Sequence, residues 1–278
     1  MATPLTAFTD AVTPYHSHMH CSGCKRTRRS GGSTGALTLA RCMGCLLAQY
    51  CSKQCQKTAW IRGHRDECKQ WSAMRDIANN AAGYPRAWNE FARWREYHHD
   101  TLTNAVLSHI ILNGDGSEDE HTLVVYLKHN DDPTLLIERK FRVTASRFVH
   151  MDQNDTDFYI DPVKPMIREM LLLRRIGLRH LRSGANGSQE SRMATYMVIT
   201  TFGTPDADGP GQARHVPYYR VFSYDTSNLG VRVLGPPEPA LEVIINNGLK
   251  QRFCCGKLRS RSDCCCGGWT HELDQEIW

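Results

Sequence analysis

The sequence predicts an α+β fold, in which a small cysteine-rich module held by metal precedes helices and a mostly antiparallel sheet. Three observations carry this. Seven of the twelve cysteines lie between Cys21 and Cys68, and none falls between residues 69 and 253. Apolar and aromatic residues then recur at helical spacing over residues 69–112. Past residue 120 the apolar period drops to two, the repeat of a half-buried strand.

Four segments follow from this. Residues 1–20 are a polar lead-in, expected to be flexible. Residues 21–68 hold the cysteine cluster, interrupted by the loop "KRTRRSGGSTG". Residues 69–253 form the α+β domain, and residues 254–278 a second cysteine-rich stretch, read as a tail. In the helical block Pro85 is placed as the first residue of a helix. Trp88, Phe91, Trp94 and Tyr97 follow at three-residue intervals, and Leu102, Val106 and Ile110 continue a stripe that faces a core. "LLIERKFRV", from Leu135 to Val143, alternates like a half-buried strand. "TLVVYL", "ATYMVITTF" and "YYRVFSY" are strands by their β-branched and aromatic content. "DPVKPMIREMLLLRRIGLRHLR" and "PALEVIINNGLK" suit helices, and "NGDGSEDE", "SGANGSQES" and "GTPDADGPGQAR" are the loops between elements.

The bulk composition, 41% hydrophobic and 23% charged over 278 residues, is that of a soluble globular protein. No stretch reaches the roughly eighteen consecutive apolar residues of a membrane span. The opening "MATPLTAFTDAVTP" lacks the basic and apolar regions of a signal peptide. The expected setting is therefore the nucleus or cytoplasm, where thiols stay reduced. Clustered cysteines in that setting point to ligation rather than to disulfides or core packing. Residues 1–70 carry ten Lys/Arg against three Asp/Glu, a formal +7. Seven thiolates on two divalent zinc ions correct this by −7 + 4 = −3, to about +4, which leaves little electrostatic drive toward nucleic acid.

The ligand candidates come in four pairs: Cys21/Cys24, Cys42/Cys45, Cys51/Cys55 and His64/Cys68. The first two have C-x2-C spacing, in which a tight turn brings two sulfurs onto one ion. The last two are spaced i,i+4, which puts both donors on the same side of a helical turn. Eight soft donors suit two tetrahedral zinc ions, both fully coordinated and therefore structural. Some fifty residues with Leu46, Leu47, Tyr50, Trp60 and Ile61 as main apolar groups cannot build a self-sufficient core, so metal binding supplies folding free energy.

On these residues the sequence resembles a MYND-type zinc finger: "CSGC", "CMGCLLAQYCSKQCQ" and the Trp60–His64–Cys68 ending. The resemblance implies a cross-brace, with Cys21, Cys24, Cys51 and Cys55 on one zinc and Cys42, Cys45, His64 and Cys68 on the other. The sequence departs from the family in two places. Seventeen residues separate Cys24 from Cys42, and the Cys55–His64 gap is one residue longer than the commonest form; that insertion is expected to lengthen the turn before His64 and to leave ligation intact. Fingers of this type take short proline-containing peptides in a shallow groove, and Gln56 and Trp60 match positions associated with it. Trp60 can equally pack beneath the zinc, and Gln56 can be an exposed helix residue. "FARWREYHHDTLTNAVLSHIIL" and "HTLVVYLKH" are also similar to uncharacterised fungal proteins that pair such a finger with a helix-then-sheet region.

The function this implies is a non-enzymatic, zinc-dependent protein-interaction module, in a transcriptional or regulatory assembly, whose partner carries a proline-containing motif. The alternative is an enzyme with its site in the α+β domain, of which a SET-type protein-lysine methyltransferase is the informative version. No Asn-His-x-Cys segment is present, and the C-terminal cysteines have the wrong spacing for that family's zinc tail. His150, Asp152, Tyr218 and Tyr219 are the catalytic candidates in residues 120–250. "GGSTG" formally matches a nucleophile elbow but sits in a connecting loop. "DQNDTDFYID" departs from a calcium loop, with Asp157 where glycine is required. "HSHMH" (His16, His18, His20) reads as polar lead-in, and "KRTRR" as a charged loop tip or an import signal. Cys254, Cys255, Cys264, Cys265, Cys266 and His271 leave open a third zinc site, acylation, or a tail without chemistry.

Overall fold

The computed structural model describes residues 21–24, 38–114, 116–150, 164–183, 191–204, 212–225 and 236–249. The lead-in, the "KRTRRSGGSTG" loop, the acidic turn from Asp152 and the C-terminal cysteines lie outside the described residues.

Chain order explains the layers. A two-residue hairpin, β1 (Ala40–Arg41) and β2 (Gln49–Tyr50), opens the finger, followed by α1 (Lys53–Ala59). Three helices come next: α2 (Arg65–Ala82), α3 (Ala87–Tyr97) and α4 (His99–Asn113), then the single turn α5 (Ser117–Glu120). The sheet is built from β3 (His121–His129), β4 (Phe141–His150), β5 (Ser191–Phe202) and β6 (Arg214–Asp225), with α6 (Lys164–Ser183) between β4 and β5 and α7 (Pro237–Asn246) after β6. Its strand order is β4-β3-β5-β6; β3 runs parallel to β5, and the other two pairings are antiparallel.

Side-chain alternation assigns the two faces. Leu123, Val125 and Leu127 of β3 join Ala194, Tyr196, Val198, Tyr218 and Phe222 against α3 and α4. Val124 and Tyr126 join Met193, Met197, Ile199 and Tyr219 against Ile167 and Met170 of α6. Covered on both faces, β3 is buried along nearly its whole length, which is why "TLVVYL" is almost wholly apolar. The aromatic stripe of α3 is the centre of the first face: Trp88, Phe91 and Trp94 are buried, with Phe91 edge-on to Phe141 and Tyr218. Tyr97 departs from the stripe; it is half-buried and its hydroxyl donates to Gly248 O at 3.1 Å.

Two expected boundaries differ. Pro85 precedes α3 in a turn, and the helix begins two residues later. Leu135–Lys140 is a turn and a short 3-10 helix (Ile137–Arg139), and the strand starts only at Phe141. The Asp132 carboxylate accepts from the Thr134 backbone and hydroxyl at 2.8 and 2.7 Å, closing a turn around Pro133. Lys140 donates to Asp132 O at 2.6 Å and pairs with Glu90 at 3.6 Å. Leu136 is left 66% exposed. Local turn chemistry and one buried ammonium override the apolar alternation.

At the β4 edge the unpaired backbone is capped by side chains of α7. Val143 N donates to Asn246 Oδ1 at 2.8 Å, and Asn246 Nδ2 donates to Val143 O at 3.2 Å. One turn earlier, Glu242 Oε1 accepts from Ser146 N and Oγ, both at 3.0 Å. A carboxamide thus replaces the neighbouring strand that an edge would otherwise recruit. Asn246→Ala is expected to lower stability by about 1–2 kcal/mol, read as a lower urea midpoint at unchanged slope. An unchanged midpoint would mean that water serves the edge equally well.

Candidate metal centre

Each donor pair is placed by a local rule. Both knuckles read Cys-x-Gly-Cys, Cys21 to Cys24 and Cys42 to Cys45. The glycines are needed for close approach: a Cβ at Gly23 would lie 2.7 Å from Cys55 O, and one at Gly44 2.7 Å from Cys68 Sγ. The second knuckle closes on the hairpin through Leu46 N to Cys42 O and Cys42 N to Ala48 O, both 2.8 Å. Ser52 caps α1, its hydroxyl accepting from Cys55 N at 3.1 Å, which fixes the turn that carries Cys51 and Cys55. Between α1 and α2 the chain kinks within Trp60–His64, at Gly63, whose φ of 126° lies outside the helical region. The kink falls in the stretch between Cys55 and His64 that carries the extra residue, and it delivers the His64 ring beside Cys68.

The eight donors gather into two groups, Cys21/Cys24/Cys51/Cys55 and Cys42/Cys45/His64/Cys68, and within each all ligand atoms lie within 4.8 Å of one another. The first and third pairs share one group and the second and fourth the other, the interleaving of a cross-brace. Cys24 and Cys51 sulfurs are 3.6 Å apart, Cys51 and Cys55 3.5 Å, Cys42 and Cys68 3.6 Å, and Cys45 Sγ is 3.9 Å from His64 Nε2. These are not disulfides, whose sulfurs sit about 2 Å apart. They match the edge of a zinc tetrahedron, about 3.8 Å for Zn–S bonds of about 2.3 Å. The second group is buried throughout, whereas Cys24 of the first is exposed.

The electrostatics fit a divalent ion. Burial raises the Cys21 thiol, but backbone N–H groups of Cys24, Cys51 and Gly23 outweigh it and bring it down to about 7. Burial likewise raises Cys42, and His64 with the Cys45 and Gly44 backbone brings it down to about 7. Cys51 and Cys68 go the other way, to about 12: burial, then the neighbouring sulfurs, make a further thiolate unfavourable. Burial lowers His64, yet Cys45, Glu67 and Cys42 raise it to about 10. With protons alone, each cage must therefore keep some of its donors protonated. Two zinc ions take the place of those protons and let every sulfur ionise. Glu67 lies 3.4 Å from His64 Nδ1, where it holds the ring with Nε2 facing the sulfurs. Four protein donors per ion leave no position for water, so both sites are structural.

The finger is joined to the helices by residues that carry no ligand signal. The Trp88 indole N–H donates to Cys45 O at 2.8 Å, inside the second cage's own knuckle. Arg95 donates to Tyr218 OH at 2.8 Å and reaches Leu47 O at 3.5 Å. Glu96 receives Arg41 at 2.7 Å and also Gln49, and Arg75 donates to Gly44 O. Buried finger residues and the α3 aromatics form one continuous core. Sequence reasoning missed these anchors because their partners are more than thirty residues away.

The catalytic candidates are not brought together. His150 ends β4 and Tyr218 and Tyr219 lie in β6, at the opposite edge of the sheet. The two tyrosines face opposite sides, both buried; Tyr218 holds Arg95, and Trp71 packs on both rings. Asp152 lies outside the described residues.

Cys51→Ser is expected to reduce bound zinc from two to one per chain and to lower the melting temperature of the entire chain in one transition. Trp88→Phe keeps the ring but leaves Cys45 O without its donor, at a cost of about 1–3 kcal/mol with both zincs retained. Chelator competition is expected to show zinc affinity falling more steeply below about pH 7, where the thiols that ionise near 7 join the donors already protonated in the zinc-free chain and must also give up a proton to the metal. A finger that melts apart from the body, or pH-independent affinity, would contradict the arrangement.

A family model for the MYND finger matches residues 21–68, the span from the first donor to the last. No solved structure matches the chain. Among the described residues no helix is long and apolar enough to cross a membrane. Fingers of this family bind zinc and mediate protein–protein interaction without catalysis, and residues 21–68 of this chain are a MYND-type zinc finger.

Proposed function

We propose that the finger captures a short proline-containing segment of a partner protein, as part of a regulatory assembly in the nucleus or cytoplasm, on an apolar surface centred on Trp60. The supporting observation is Trp60 itself, which stays 41% exposed although its ring lies edge-on to the ligand His64 at 5.9 Å. A tryptophan held against a metal ligand is pre-oriented, so a partner loses little rotamer freedom in meeting it. The Trp60 N–H bonds to Gln56 O one turn earlier, which places both residues on one side of the helix. Gln56 supplies an amide beside the ring for a peptide backbone. Among the finger's described residues, Met43 and Ile61, 81% and 85% exposed, are the other uncovered large apolar side chains. Proline segments suit such a surface because their extended helix is already formed and presents flat rings to an aromatic.

The test uses the full chain with both zincs bound and an array of proline-containing peptides. Trp60→Ala is expected to weaken capture at least about tenfold, and Gln56→Ala by less, with the zinc content unchanged. Peptide capture indifferent to both substitutions would overturn the reading.

A further inference from the structure

We propose that His109, Glu120, His121 and His150 form a third metal site, for a divalent ion of the zinc–nickel–copper group, where α4, α5 and the β3–β4 pair meet. His121 and His150 are direct cross-strand partners at the end of the ladder. Their ring centres are 5.0 Å apart at 84°, and His109 reaches in from α4 with its ring centre 5.2 Å from His121. Two imidazoles bound to one tetrahedral ion at about 2.0–2.1 Å have ring centres about 5 Å apart. Both spacings have that value.

The surrounding groups are arranged for ligation. His121 Nδ1 lies 3.3 Å from Ser117 O, and an N–H donated to that carbonyl leaves the Nε2 lone pair outward. His109 Nε2 is buried and has no hydrogen-bond partner among the described residues, while Phe148, stacked at 3.7 Å and 9°, fixes the ring plane. The Asn113 Nδ2 donates to His109 O at 2.8 Å and faces His109 Nδ1 at 3.3 Å, so ligation through His109 Nε2 requires that amide to turn and the ring proton to move to Nδ1. Burial, with His121 beside it, brings His109 down to about 4, so this imidazole is neutral at physiological pH. The Glu120 carboxylate stands 3.9 Å from His150 Nε2 and is 65% exposed, which makes it the donor that water can exchange.

The ring centres are in place, but the nitrogens are not yet aimed: among the described residues only the two finger groups bring three or more donor atoms within 4.8 Å. His121 and His150 are half-buried, and the terminal torsion of histidine is broad, so closure needs ring rotation rather than backbone movement. Three imidazoles with one carboxylate select late transition metals over magnesium or calcium.

The test is calorimetric titration of nickel ion into the full chain with both finger zincs bound. A His16→Ala, His18→Ala, His20→Ala form runs in parallel, because "HSHMH" is a second imidazole-rich stretch. One equivalent of nickel is expected in both forms, with a nitrogen/oxygen shell by X-ray absorption and two zincs still present. His121→Ala is expected to abolish uptake, and the half-exposed or exposed replacements His150→Gln and Glu120→Gln, which leave the core untouched, to weaken it at least about tenfold. No uptake, uptake only by exchange for finger zinc, uptake indifferent to His150→Gln and Glu120→Gln, or uptake lost with the three N-terminal histidines would each overturn the proposal.

Discussion

Seven thiols and one imidazole cannot all give up their protons a few ångströms apart unless a cation takes the protons' place. The rest of the molecule is arranged around that constraint. The two cages draw in donors about 34 and 26 residues apart in sequence, Cys21 to Cys55 and Cys42 to Cys68, and the α1–α2 kink at Gly63 brings His64 and Cys68 to the second cage. Once closed, the cages hold the knuckle carbonyls in fixed positions, and the larger domain uses them: Trp88 binds Cys45 O, Arg75 binds Gly44 O, and Arg95 reaches Leu47 O. A module too small to have its own core thus borrows one from α3. In return it covers one end of an aromatic cluster that extends to the sheet.

This joint separates two jobs on one small module. The inward side carries buried carbonyls and Tyr50, whose ring is edge-on to His64 at 5.7 Å. Met43, Trp60 and Ile61 are left exposed to solvent. Both are positioned by the same two metal cages, so the proposed interaction surface and the body are expected to respond together to metal loss.

The candidate site was legible because its rules are short-range. C-x2-C and i,i+4 spacing operate within one turn, and all eight donors identified by spacing meet in the two expected groups. The stripe from Trp88 to Trp94 was legible as a buried face for the same reason, but not what it faces: Cys45 is 43 residues from Trp88 and leaves no local mark. Leu135–Lys140 was misread because alternation says nothing about a carboxylate that closes a turn or an ammonium that reaches back to Glu90. The histidines at 109, 121 and 150 are far apart in sequence, and only strand register and helix packing bring them together.

Zinc K-edge absorption on protein carrying two zinc ions per chain tests the central claim most directly. Seven sulfurs and one nitrogen over two ions predict a sulfur-dominated shell at about 2.3 Å with no oxygen neighbour. An oxygen in the first shell of either ion, or a sulfur count well below that average, would show that a cage is open and that the finger does more than hold its shape.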